Sequence, residues 1–230
     1  MRRKRALTTA LLVLLVFYLT LPWTAAAGVP TDQVRASVDN ILAILKNPAL
    51  KAESKKKDRR DQLRRAIFGR FDFTEMAKRS LGAQWRKLSP QEQDEFIRLF
   101  TDLLERAYLD QIEAYNDEKF VYAKETVDQD YAEVQSRIVT SKAEYSLNYR
   151  LHLAGSAWKV YDVVVENISL VNNYRAQFSR IVANQSYEEL VRRMKDKQIK
   201  APVDTKPVEA MPVETKPVKK PVEKKPVEKK

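Results

Sequence analysis

Residues 145–165 read YSLNYRLHLAGSAWKVYDVVV, and this stretch decides the fold class. Tyr145, Leu147, Tyr149, Leu151 and Leu153 alternate with Ser146, Asn148, Arg150 and His152, the period of two that a strand with one buried face produces. Ala154-Gly155-Ser156 supplies a turn, after which Trp158, Val160, Asp162 and Val164 fall on one side and Lys159 and Tyr161 on the other. Just upstream, Ala132, Val134 and Ile138 alternate with Glu133, Gln135 and Arg137. Consecutive strands joined by short turns predict an antiparallel meander with an apolar face that something must cover.

The cover comes from helical patterns on both sides. Val34, Val38, Ile41, Leu42 and Leu45 recur at helical spacing, and Asn47-Pro48 ends that segment. A charged stretch from Glu53 to Arg65 reads as a surface helix leading into Phe71. Asp72-Phe73-Thr74-Glu75 is a capping box for a short helix to Leu81, with Phe71 placed to staple onto Met76. Ser89-Pro90-Gln91-Glu92 is a second box, and the helix it opens is the longest, carrying Phe96, Phe100, Leu103, Leu104, Ala107, Tyr108, Ile112 and Tyr115 on one face. Ile97 and Leu99 widen that face beyond a narrow seam. Past the strands, Ser169 caps a helix with Leu170, Tyr174, Phe178, Ile181 and Val182, and Ser186 opens a last one through Leu190 and Met194. The predicted class is α+β, with helices packed on one face of a small meander sheet.

Both ends read as separate from this domain. Arg2, Arg3, Lys4 and Arg5 precede an apolar run from Leu11 to Leu19, and Ala25-Ala26-Ala27 offers a cleavage site, so residues 1–27 are expected to be a secretory signal peptide. The run is short of the ~20 residues that a membrane span needs. From residue 201 the chain repeats Pro-Val with charges, and six of the ten prolines lie in these last thirty residues. Isolated valines between Pro, Lys and Glu offer too little apolar area to offset ordering entropy, so 201–230 is expected to be a disordered, extended tail. The domain between them is assigned to residues 28–200.

Composition narrows the chemistry. The net charge is +11, but the leader holds four positive charges and the tail a surplus of three, leaving four on the domain. Such mild basicity, together with export, argues against nucleic acid as a partner. With no cysteine, disulfides, thiolate catalysis and Cys-held metals are excluded, and one histidine, His152, allows no His-rich site. The four glycines stand too far apart for a phosphate-cradling loop. A triad on His152 would need a serine and a carboxylate on the polar face of the sheet. Asp162, in phase with Trp158, Val160 and Val164, is expected to be buried or near a cavity mouth and to need a partner such as Arg175 or a backbone N–H. No catalytic constellation, cofactor site or metal site is expected.

Two long motifs then point to a family. Phe71-Asp72-Phe73-Thr74-Glu75-Met76-Ala77-Lys78-Arg79-Ser80-Leu81-Gly82-Ala83-Gln84-Trp85, followed by Leu88-Ser89-Pro90 and Phe96, closely resembles the MlaC family, also called the toluene-tolerance or ABC-transporter auxiliary family. Tyr149-Arg150-Leu151, Trp158-Lys159-Val160-Tyr161-Asp162-Val163, Ser169-Leu170-Val171 and Asn173-Tyr174-Arg175-Ala176-Gln177-Phe178 resemble its second signature. The resemblance spans roughly residues 32–196. One departure is Glu166-Asn167, where the family usually has Glu-Gly; Asn also adopts left-handed backbone, so the turn is expected to survive.

That resemblance implies a periplasmic phospholipid carrier, working between an outer-membrane lipoprotein or porin complex and an inner-membrane ABC transporter with an MCE-domain protein. It implies an MlaC-like fold of NTF2-like flavour, with helices and sheet enclosing an apolar lipid cavity, and a monomer is expected. Candidate walls from the helices are Phe73, Met76, Leu81, Trp85, Phe96, Phe100, Leu103, Leu104 and Tyr108. From the strands they are Leu147, Tyr149, Leu151, Trp158, Val160 and Val164, and from beyond the sheet Leu170, Tyr174 and Phe178. Arg79, Arg175 and Asp162 are the candidates for a headgroup contact or a structural ion pair. The alternatives are carriage of a hopanoid or another lipid, and a periplasmic peptide-binding or chaperone module.

Overall fold

The computed structural model describes residues 29–115 and 117–201, so the expected signal peptide and nearly all of the expected tail lie outside the described residues. Helix α1 (Pro30–Lys46) starts on a proline, which needs no N–H there, and ends where Asn47 turns extended before Pro48. Two short 3-10 turns lead to α2 (Lys56–Arg70), a charged helix whose one buried residue is Leu63. Asp72 then caps α3 (Phe73–Leu81) by accepting the Glu75 N–H at 2.9 Å. The reciprocal half of that box is not made, because the Asp72 N–H donates instead to the Val160 carbonyl at 2.8 Å and Glu75 pairs with Arg79 and Lys78. At α4 (Pro90–Glu113) both halves form: Ser89 Oγ accepts the Glu92 N–H, and Glu92 accepts the Ser89 N–H at 2.7 Å.

The sheet follows as β1 (Lys119–Asp128), β2 (Tyr131–Val139), β3 (Glu144–Ala154), β4 (Ala157–Val165) and β5 (Ile168–Ser169), antiparallel and in chain order. Gly155 takes φ +65 in the β3–β4 turn. Glu166 at φ +47 and Asn167 at φ +66 make the β4–β5 turn, so asparagine does adopt the left-handed backbone required there. Ser169 and Ser186 cap α5 (Leu170–Asn184) and α6 (Tyr187–Lys195).

Apolar burial divides into two cores. In one, Met76 and Leu81 of α3, Phe96, Phe100 and Leu103 of α4, Tyr174 and Phe178 of α5 and Leu190 and Met194 of α6 pack helix on helix. Edge-on ring contacts of Phe100 with Tyr174 and of Phe96 with Phe178, at centroid distances of 5.6 and 5.8 Å, lock its centre. The aromatic face of the longest helix is thus covered by other helices. In the second core Val34 of α1 lies on the sheet against Val134, Leu151, Trp158 and Val160.

A bulge corrects the expected phase of Asp162. Pairing between β3 and β4 runs Leu151 to Val160 and then Arg150 to Asp162, leaving Tyr161 unpaired. Beyond this point the side chains exchange faces. Trp158 and Val160 share a face with Val163 and Val165, whereas Asp162 and Val164 lie on the other with Arg150 and Asn148. Strict alternation cannot anticipate one extra residue.

Candidate functional site

Between α1, α2, the ends of α3 and α4, and the inner face of the sheet lies a cavity of about 1340 Å³. Its walls are mostly aliphatic and aromatic. Helix α1 contributes Val38, Ile41, Leu42 and Leu45, α2 contributes Ile67 and Phe68, and β4 contributes Val160, Val163 and Val165. Polar lining concentrates at one end of the sheet, where Asp117, Glu118 and Lys119 meet Thr140, Ser141 and Lys142.

Specific contacts hold these elements apart and in place. Arg70 donates to the Trp158 carbonyl at 2.6 Å, to Ser37 Oγ at 2.9 Å and to Gln33 at 2.7 Å, tying α2 to both α1 and β4. Thr31 pins α1 to β1 through Glu125, at 2.6 Å from its hydroxyl. Across the cavity α2 meets α4 through ion pairs: Arg59 with Glu113 at 3.0 Å, Arg60 with Glu113 and Asp110, and Arg64 with Glu105. A bridge of long side chains spans two helices without closing the space between them. Burial pushes the Tyr108 phenol up to about 12 and raises that of Tyr149 as well, so these two stay neutral.

Of the expected wall residues, Phe73, Met76, Leu104, Tyr108, Leu147, Tyr149, Val160 and Leu170 line this cavity. Ten others lie elsewhere. Leu81, Phe96, Phe100, Leu103, Tyr174 and Phe178 fill the helical core, with Trp85 packed at its margin. Leu151 and Trp158 are consumed in packing against α1, and Val164 faces away because of the bulge. Sequence reasoning missed the α1 stripe as a cavity wall. Its signal was present: Ile41, Leu42 and Leu45 continue the apolar face past Val34, yet in the structure they stay only half-buried whereas Val34 is 1% exposed.

Arg79, Arg175 and Asp162 do come together, but outside the cavity, around a recess they share with Arg150. Asp162 is 3% exposed and accepts from Arg150 at 3.2 Å, Ser169 Oγ at 2.6 Å and the Val171 N–H at 3.0 Å. It therefore anchors the first turn of α5, where a negative charge is favourable. Of the two expected kinds of partner, the backbone N–H is present at Val171, while the guanidinium is that of Arg150 and not Arg175. His152 Nε2 lies 2.9 Å from Asp72 Oδ2, which ties β3 to the cap of α3, and no serine bonds to His152 among the described residues.

Geometry of this kind defines an α+β protein with a large, partly open, mostly apolar cavity that has one polar end. The sequence profile described as MlaC protein matches residues 35–196, and the chain belongs to that family. Toluene tolerance protein ttg2D of Pseudomonas putida is 28% identical over 176 residues, which covers 75% of this chain and 81% of that protein. A solved phospholipid-binding protein from Ralstonia solanacearum, in complex with a phospholipid, superposes with a TM-score of 0.66 at 24% identity, covering 74% of this chain and 97% of the other. That likeness establishes the fold.

Proposed function

We propose that this chain is a phospholipid carrier of the periplasm, taking lipid between an outer-membrane lipoprotein or porin complex and an inner-membrane ABC transporter bearing an MCE-domain protein. The observation that carries the reading is the cavity. Each acyl CH₂ withdrawn from water is worth about 0.8 kcal/mol, so two long chains represent on the order of 20 kcal/mol and need almost complete cover to cross an aqueous compartment. At about 1340 Å³ the cavity is larger than the ~300–1,000 Å³ typical of small-ligand sites, and its α1, α2 and sheet walls are apolar. Its polar end leaves a headgroup in contact with water and loop side chains. Membership of a family with a phospholipid-bound structural neighbour supports the same reading. The N-terminal leader would direct the export, with cleavage near Ala27.

The test is detergent-free purification of the full chain after secretion, with native mass spectrometry followed by lipid extraction. Stoichiometric phospholipid is the expected result and identifies the accepted headgroups. Bound hopanoid or peptide would replace the proposed cargo, and a protein that arrives empty and takes no lipid from vesicles would end the carrier reading.

A further inference from the structure

On the side of β4 turned away from the acyl cavity, a recess of about 210 Å³ is walled by Arg79, Arg150, Arg175, Tyr161, Asp162 and Asn172. Three separate elements, α3, β3 and α5, each deliver one guanidinium to it. Two are partly engaged. Arg150 is held by Asp162 at 3.2 Å with Glu133 at 3.6 Å, and Arg79 donates to Glu75 at 2.8 Å while its guanidinium lies 4.1 Å from the centre of the Tyr161 ring. Arg175 has neither an acidic partner nor a hydrogen bond among the described residues.

The position of Arg175 depends on the backbone beside it. Gly82 sits at φ +62 and ψ −128, and a Cβ there would stand 3.0 Å from Arg175 Nε, so the missing side chain is what lets the guanidinium lie against this turn. Within the recess three positive groups face one carboxylate, and Asp162 is already committed to Arg150, Ser169 and the Val171 N–H. Glu75 and Glu133 engage Arg79 and Arg150 from outside the recess, so the surplus positive charge and the unused guanidinium fork are those of Arg175. Such forks match the oxygens of a phosphate group. At ~30 Å³ per water molecule, the hollow has room for one phosphate and a few waters, and none for acyl chains.

We infer that this recess is an oxyanion site for a phosphate group, separate from the acyl cavity, with which it shares no lining residue. The phosphate is either a free ion or the headgroup of a lipid at a membrane surface. Calorimetric titration of the full chain with inorganic phosphate tests the chemistry, and co-sedimentation with phosphatidylcholine vesicles containing phosphatidylglycerol tests the source. Because the whole chain is basic, Arg180→Gln, which removes the same charge from an exposed position on the same helix, is the reference for Arg175→Gln.

The expected result is phosphate binding, or phosphate-competed vesicle retention, weakened about tenfold or more by Arg175→Gln and unchanged by Arg180→Gln. Arg175→Lys should keep part of it. Binding of the ion without Arg175-dependent retention assigns the site to free phosphate, and retention that phosphate displaces assigns it to a headgroup. Equal behaviour of the two glutamine variants, or no binding in either assay, overturns the site. Lipid held in the acyl cavity should be the same in both variants, so the carrier reading stands or falls independently.

Discussion

Asp162→Asn is the substitution that most directly tests how the sheet and α5 are joined. The replacement preserves shape and removes one acceptor oxygen. If the remaining oxygen stays on the Val171 N–H, the amide nitrogen faces Ser169, whose hydroxyl can turn and accept, and Arg150, which cannot. One charge-assisted bond is lost, worth ~1.5–3 kcal/mol, and because the Arg150 side chain is 37% exposed the screened lower half of that range applies, about 1.5–2 kcal/mol. Asp162→Ala removes both oxygens and strands the buried Val171 N–H, which raises the loss to about 3–5 kcal/mol. Urea unfolding of delipidated protein reads both, with the asparagine variant's midpoint falling by roughly 1 M at unchanged slope. Pairing each variant with Arg150→Gln should show coupling of about 1 kcal/mol or more. A loss below about 0.5 kcal/mol for the asparagine variant, or absent coupling, would refute the assignment of Asp162 as a buried anchor. Folded Asp162→Asn should retain its lipid, whereas a hydrolase built on this carboxylate would lose turnover with the fold intact.

Ile41→Arg places a charge on the α1 wall of the cavity and should cut copurifying lipid several-fold with a stability change under about 1 kcal/mol, because the site is only half-buried; undiminished lipid by native mass spectrometry would contradict the cavity assignment. Phe100→Ala, in the helical core and fully buried, should cost about 3–5 kcal/mol in urea unfolding while the folded fraction still holds lipid, and selective loss of lipid would place Phe100 in the wrong compartment. Raising the pH should destabilise the fold through its buried phenols. Burial raises Tyr108 and Tyr122 to about 12, so their neutral-state stabilisation is complete below the ordinary phenol value near 10 and is lost as pH climbs from there towards 12; thermal unfolding between pH 9 and 12 should fall less steeply in Tyr108→Phe, and identical slopes would exclude this cause.

Local chemistry was legible wherever neighbours along the chain decide the outcome. The Ser89, Ser169 and Ser186 caps, the Asn47-Pro48 stop, the Gly155 turn and the period of two through β3 are all set by residues within a few positions of one another. So was the family, because its motifs are contiguous. Reading failed where a long-range partner intervened: the Asp72 N–H went to Val160 instead of Glu75, and the extra residue at Tyr161 turned Asp162 and Val164 away from the face that alternation assigned them. Which apolar residues would pack and which would be left facing empty space was also invisible. Phe100 and Leu104 lie one turn apart on the same helix with the same hydrophobic pattern and both belong to the helical core, yet only Leu104 also borders the cavity, because α5 covers Phe100 with Tyr174 and Phe178. Periodicity determines that a face must be covered; the tertiary structure alone decides by what, because a cavity is the space that no pair of neighbouring residues specifies.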